Sequence, residues 1–240
     1  MSLVELIAQA DERGLAASGL ACLDRCVPLL GGDDDVLRPL WTSLVDGDGW
    51  GERVAKARAD LGELGEPEGS EELDLDLGLG FGARGGSGSG TGIRAGTGIG
   101  AGTGIRAGTG IGAGIAAGTR SGASPDDQAA LLARHMLATV PVEHSADALR
   151  TWADDCSVAA LQIHDLLDIA AGGTSLAEAR REGRTEGMSP LVAAELRRQI
   201  AILELLADRG AGGLRLVLGQ STEGRRVLRA VVSRRARGRA

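Results

Sequence analysis

His164 and Asp168 are the residues whose types and spacing come closest to acid–base chemistry. They stand four positions apart on a predicted helix, and this spacing places a carboxylate where it could orient an imidazole ring. Catalysis would also require a pocket and a nucleophile, and the nearest candidate nucleophile, Cys156, lies eight residues away on an apolar stripe. We therefore expect an exposed pair on a helix face, and the sequence predicts no catalytic residue.

Cys22 and Cys26 have a spacing that could present two thiolates to one metal ion. A zinc site needs two further ligands, and no second Cys or His pair follows nearby. The remaining histidines, His135 and His144, do not complete a recognisable ligand pattern. We expect the cysteines to be small buried residues, with free thiols in a reducing compartment, and the sequence predicts no metal site and no cofactor.

Two glycine-containing stretches resemble ligand-binding loops but lack their key residues. The acidic turn at 46–49 places Trp50 where a calcium loop needs an oxygen ligand and Ala57 where it needs a glutamate. The sequence GTGIRAG contains G-x-G, but it is not flanked by the strand and helix that a phosphate loop joins, and the Lys-Ser/Thr ending is absent. Neither stretch predicts a ligand site.

The C-terminal sequence RRVLRAVVSRRARGRA is the one segment whose chemistry suggests a partner. Val227, Leu228, Val231 and Val232 form an apolar stripe within a basic helix, which could bind a protein, an anionic membrane or nucleic-acid phosphates. No aromatic residue is interleaved for base stacking, so nucleic-acid contact would be nonspecific. The simpler alternative is a helix that closes a bundle and leaves its arginines in water. The predicted partner-binding residues are Arg225, Arg226, Arg229, Arg234, Arg235 and Arg237.

A glycine-rich repeat determines how the elements around these residues are organised. GTGIRAGTGIGA occurs twice in succession between residues 90 and 113, and such a sequence cannot bury enough surface to offset the entropy lost by ordering its glycines. The preceding leucines, at 73, 75, 77 and 79, alternate with acids or glycine and predict an acidic lead-in, or alternatively a short linear motif that binds a partner. A folded solenoid would need more repeats.

Charge is distributed unevenly along the 240 residues. Residues 1–80 hold 18 acidic and 6 basic residues, a charge of −12, whereas residues 210–240 carry +7. The acidic and basic ends could attract each other or external partners. Only Lys56 among the 26 basic residues is a lysine, a bias typical of a GC-rich bacterial genome.

Hydrophobic periodicity and capping residues predict helices throughout the rest of the chain. Leu149, Trp152, Cys156, Ala159, Ile163, Leu166 and Ala170 follow steps of three and four, which predicts lengthwise packing on another helix of the module or of a dimer. The short apolar run 214–218 is not assigned. Helices are predicted at about 2–13 with Gly14 as the stop, 16–30, 36–46, 52–61, 124–140, 145–171, 175–183, 189–209 and 221–237.

The predicted fold is all-α, with two small helical modules joined by a disordered linker. We divide the chain into an acidic N-terminal module at 1–64, a linker at 65–123 and a better-defined C-terminal bundle at 124–240. The N-terminal module is so small that it should be marginal unless it docks on something. Whether the modules touch is left open.

The sequence favours a non-enzymatic interaction or adaptor protein that acts through helical surfaces. The long apolar seam predicts a protein partner or a homodimer. The alternatives are a nucleic-acid-associated protein that uses the basic C-terminal helix, and an enzyme of unknown substrate. The start MSLVELIAQADERG lacks the features of a signal peptide and no apolar run could span a membrane, so we expect a cytoplasmic protein.

Overall fold

The computed structural model describes residues 1–31, 33, 35–62, 123–169 and 175–238. Within these ranges the chain forms nine α-helices and no strand, which confirms the all-α prediction. The predicted linker, its repeat and the 73–79 stretch lie outside the described residues, apart from Ala123. The helices are α1 (Leu3–Gln9), α2 (Glu12–Cys26), α3 (Arg38–Asp46), α4 (Trp50–Gly62), α5 (Pro125–Ala138), α6 (Ala146–Leu167), α7 (Leu176–Glu182), α8 (Pro190–Arg209) and α9 (Leu214–Arg237).

Side-chain caps begin two of these helices as the sequence predicts. The Ser2 hydroxyl accepts a hydrogen bond from the Glu5 amide at 3.3 Å, and the Glu5 carboxylate accepts one from the Ser2 amide at 2.9 Å. Ser124 and Asp127 form the same reciprocal pair at the start of α5. Ser145 and Ser175 occupy the N-cap positions of α6 and α7, but their side chains make no capping hydrogen bond.

The first predicted helix is two helices in the structure. α1 ends at Gln9 because Ala10 is extended, with ψ of 143°. Asp11 then caps α2, since its carboxylate accepts a hydrogen bond from the Gly14 amide at 2.7 Å. Gly14 therefore lies in the first turn of α2 and does not stop α1, because the short side chain of Asp11 provides a new start three residues earlier.

α2 is the central helix of the fold. Every residue from 14 to 26 is buried. The helix contacts α3, α5, α6, α8 and α9, so no side of it is left to water. A helix buried on all its faces belongs to the core of a larger unit.

The apolar seam of α6 packs on helices of the same chain. Leu149, Trp152, Cys156, Ala159 and Ile163 are at most 4% exposed, and α6 contacts α2 and α5. Leu166 is half-buried, and Ala170 lies outside the described residues. The seam is therefore already covered by helices of the same chain.

The last helix starts earlier than predicted. α9 begins at Leu214 and runs without interruption to Arg237, so the unassigned run 214–218 forms its first turn. Ser221, predicted as its start, is buried within the helix and donates a hydrogen bond to the carbonyl of Ala21 at 3.1 Å. The Ser221 hydroxyl therefore bonds α9 to α2 and does not cap a helix.

The two predicted modules meet in one compact unit. We call residues 1–62 the N-terminal segment and residues 123–238 the C-terminal segment. Arg58 on α4 donates hydrogen bonds to three carbonyls at the end of α5, those of Leu137, Ala138 and Val140, at 3.3, 2.7 and 2.6 Å. A cation in this position complements the negative end of the helix. The small N-terminal segment is thus packed against the C-terminal segment.

Candidate functional site

His164 is buried, not exposed on a helix face as the sequence predicted. It is 1% exposed, and its Nδ1 donates a hydrogen bond to the carbonyl of Ala160 at 2.7 Å. Its Nε2 lies 3.6 Å from Oε2 of Glu195 on α8. Asp168 has left the helix with extended geometry, and its carboxylate accepts a hydrogen bond from the Leu191 amide at 3.1 Å. The two ring nitrogens of His164 therefore face Ala160 and Glu195, and neither faces the predicted partner, Asp168.

Glu195 is the centre of a polar cluster enclosed by the helices. Its carboxylate accepts hydrogen bonds from Arg25 Nε at 2.9 Å, from Arg25 Nη2 and from Gln199 Nε2 at 2.9 Å. Arg198 Nη1 adds a longer contact at 3.3 Å. The side chains of Arg25 and Glu195 are both 0% exposed. We call Arg25, His164, Glu195 and Gln199 the buried ionic cluster.

Opposite charges keep Arg25 and Glu195 ionised in spite of their burial. Burial alone would raise the pKa of Glu195, but the nearby Arg25 and His164 and the hydrogen bonds from Arg25 and Gln199 lower it to about 2. Burial acts against the charge of Arg25 too, and Glu195 outweighs it and raises the pKa of the guanidinium. A buried pair of this kind is costly to break, because the remaining charge has no water to solvate it.

A chain of hydrogen bonds connects the cluster to α7. Ser157 donates to Gln199 Oε1 at 2.7 Å and accepts from Arg180 Nε at 3.1 Å. Arg180 Nη2 then donates to the half-exposed Asp154 at 2.5 Å. The polar groups of α8, α6 and α7 are thus joined from the core to the surface, and their geometry depends on each other.

The three cysteines are buried free thiols. Cys22 Sγ accepts a hydrogen bond from Arg25 Nη2 at 3.4 Å. Burial raises the pKa of Cys22 to about 11 and raises the pKa values of Cys26 and Cys156 well above their ordinary value. The thiolate is the reactive form, and burial favours the neutral thiol at all three positions. Across the described ranges, no group of three or more His, Cys, Asp and Glu residues could hold a metal ion.

The buried ionic cluster has catalytic residue types but is enclosed by the helices. Arg25, His164 and Glu195 are each at most 1% exposed. A surface groove on the α7 side is lined by Glu178, Glu182, Arg184 and Glu186 together with Ala179, and includes no member of the cluster. The contacts of the cluster join α2, α6 and α8.

The sequence contains a signal for this cluster that spacing rules for active sites miss. The segment 14–23 has no charged residue, and a helix that is apolar on all faces predicts complete burial. A charge at the end of such a helix, as at Arg25, then requires a buried partner. Glu195 lies three residues after Val192 and seven before Ile202, a spacing that places it on the same side of α8 as these apolar residues.

The six predicted partner-binding arginines divide into two groups. Arg225 is 7% exposed and its Nη1 lies 3.1 Å from Asp24. Arg235 Nε lies 2.8 Å from Asp126. These two side chains are largely buried against acids of the bundle, whereas Arg226, which lies 3.5 Å from Glu223, is exposed. We call the exposed group the basic face of α9; it consists of Arg226, Arg229, Arg234 and Arg237.

The titration of His164 should make the protein less stable in weak acid. Burial lowers the pKa of His164 below its ordinary value, so below about pH 6.5 the unfolded chain binds a proton that the folded chain does not. Stability is therefore lost as the pH falls through this range, by at most about 1.4 kcal/mol per pH unit. Urea unfolding of the wild type and of His164→Gln, followed by circular dichroism from about pH 7.5 to about pH 5.5, measures this term.

The comparison with His164→Gln isolates the histidine because another group acts in the opposite direction. Burial and Asp154 raise the pKa of Asp155 to about 6, so the folded state takes up this proton first and gains stability as the pH falls. That contribution is common to both proteins. A constant difference in stability between them over the whole range would contradict the prediction.

None of the described helices is both long and apolar enough to cross a membrane. Comparison of the chain with protein-family models, with curated proteins and with solved structures gives no match.

Proposed function

We propose that this protein is a non-enzymatic interaction protein that binds an acidic protein partner along the basic face of α9. The observation that carries the proposal is the arrangement of Arg226, Arg229, Arg234 and Arg237 on one side of an exposed helix end. No acidic residue occurs in the sequence after Glu223. Arg226 lies 3.5 Å from the exposed Glu223, and beyond Glu223 the charged residues of α9 are all arginines.

The geometry of α9 makes these four residues one surface. At about 100° per residue, they spread over about 140° of the helix circumference and about 17 Å of its length. Leu228, on the opposite side, is fully buried and holds the helix on the bundle. Guanidinium groups presented by a docked helix are pre-positioned to pair with carboxylates.

Charge favours an acidic protein over nucleic acid as the partner. The chain carries a net charge of −7, which opposes the approach of a long polyanion. All three tryptophans are at most 6% exposed, so they offer no surface for base stacking. A compact acidic helix or loop needs only the local positive field of α9.

Burial of the reactive side chains supports a non-enzymatic role. His164 and the three cysteines are enclosed within the bundle, so their reactive atoms do not meet solvent. We place the protein in the cytoplasm, because buried thiols without disulfide partners suit a reducing compartment.

Fluorescence anisotropy with a labelled oligoglutamate peptide tests the proposal, with a labelled DNA duplex as the competing ligand. The peptide should bind at low salt and weaken as salt is added. Charge reversal of all four arginines should weaken peptide binding by about tenfold or more. The variant carries Arg226→Glu, Arg229→Glu, Arg234→Glu and Arg237→Glu.

A second variant with the same net charge separates the basic face of α9 from charge in general. It reverses four exposed arginines that are scattered over α3, α5, α7 and α8, and it should retain most of the peptide affinity. Equal loss in both variants, or tighter binding of the duplex than of the peptide, would overturn the proposal. The control carries Arg38→Glu, Arg134→Glu, Arg181→Glu and Arg209→Glu.

A further inference from the structure

The N-terminal segment is held by polar contacts that do not involve residues 63–122. Arg25 pairs with Glu195, Asp24 pairs with Arg225, and the Ala21 carbonyl accepts the hydroxyl of Ser221. All three contacts lie on one turn of α2 and reach α8 and α9. Each of these partners is at most 7% exposed, so water cannot readily replace the bonds.

Close apolar packing extends the same interface. A Cβ placed on Gly19 would come within 2.5 Å of the ring of Trp152, so the indole lies directly on the α2 backbone. A Cβ placed on Gly224 of α9 would likewise lie 2.3 Å from Cδ of Arg25. At the other end of the segment, Trp50 Nε1 donates to the carbonyl of Pro141 at 2.7 Å.

We infer that the C-terminal segment is an acceptor for the N-terminal segment, and that the two remain bound as a noncovalent complex when the chain is cut within 63–122. The partner that this surface fits is the complementary segment of the same protein, through α2 inserted among α5, α6, α8 and α9. This inference is independent of the proposed function of α9.

The connection itself adds little to such an interface. Even a fully flexible tether of this length would supply an effective concentration of only about millimolar. Interfaces that bury a continuous apolar core commonly have dissociation constants of about micromolar or below. The cut complex should therefore persist at about 10 μM, a concentration at which the tether is no longer needed.

Cleavage of the folded full-length protein tests the inference. A recognition sequence for a site-specific protease is inserted after Gly90, and the cleaved protein is analysed by gel filtration with light scattering and by circular dichroism. We expect one species with the mass of the uncut monomer and the same helical signal. After cleavage the unfolding temperature should also depend on protein concentration, because unfolding now releases two chains.

Substitutions at two helical glycines show whether α2 is the bound element. Gly19→Ala adds a methyl group against Trp152, whereas Gly219→Ala on α9 adds one where nothing lies within 4 Å. Gly19→Ala should raise the dissociation constant of the cut complex about fivefold or more, and Gly219→Ala should not. Separation of the wild-type fragments at about 10 μM, loss of helical signal on cleavage, or equal dissociation constants for the two variants would overturn the inference.

Discussion

Glu195→Ala should lower the free energy of unfolding by about 3–5 kcal/mol. The substitution leaves the guanidinium of Arg25 with no carboxylate, although its side chain is 0% exposed. It also removes the acceptor that holds the Gln199 amide at 2.9 Å. Urea unfolding followed by far-UV circular dichroism measures the loss, and it should be among the largest that a single change in this chain can cause.

Two controls separate the unpaired charge from other effects of the substitution. Glu204→Ala removes an exposed glutamate of the same helix and should change stability by no more than about 0.5 kcal/mol. The double variant Arg25→Met/Glu195→Leu removes both charges and should recover much of the loss, because apolar residues of similar size can replace a buried ion pair. A double variant as unstable as Glu195→Ala would refute the explanation by the unpaired charge.

Trp152→Ala should cost about 3–5 kcal/mol of stability by leaving a cavity in the centre of the bundle. The indole is 2% exposed and its Nε1 donates a hydrogen bond to the Met136 carbonyl at 3.0 Å. Its ring lies edge to face with that of Trp50 at a centroid distance of 6.4 Å. Urea unfolding followed by circular dichroism measures the effect. The fluorescence of the other two tryptophans gives a second readout of folding.

The contact between Trp152 and α2 can be tested from the opposite side. Gly19→Ala places a methyl group against the indole ring of Trp152 and should lower the free energy of unfolding by about 1–3 kcal/mol. Gly219→Ala faces open space and should stabilise by about 0.5–1 kcal/mol, because alanine favours a helix interior over glycine. If the two substitutions changed stability in the same direction, the close approach at Gly19 would be refuted.

The helices could be predicted from sequence because their signals are local. Ser124 and Asp127 lie three residues apart, and the steps of three and four from Leu149 to Ile163 fall within one helix. Such spacings report backbone geometry directly. The boundaries at Gly14 and Ser221 were wrong because each residue had two local interpretations, and tertiary contacts decided between them.

The buried ionic cluster could not be predicted in the same way because its members are distant in sequence. Arg25 and Glu195 are separated by 170 positions, and a single sequence contains no rule that pairs them. Asp168 illustrates the opposite error. Its spacing from His164 fits a helical pair, but α6 ends at Leu167, so the two residues do not share a helix face.

The position of α2 at the centre of the bundle also affects how the chain folds during synthesis. The Ala21 carbonyl accepts its hydrogen bond from Ser221, which is synthesised 200 residues later. At about 5–20 residues per second, a ribosome takes about 10–40 s to add a stretch of that length. At the start of this interval α2 has apolar surface on every side, and α5 to α8 are added only as residues 125–209 are synthesised. Although the described elements are all helices, the core forms through distant contacts, which favours slower folding than in bundles whose helices pair with their neighbours in sequence.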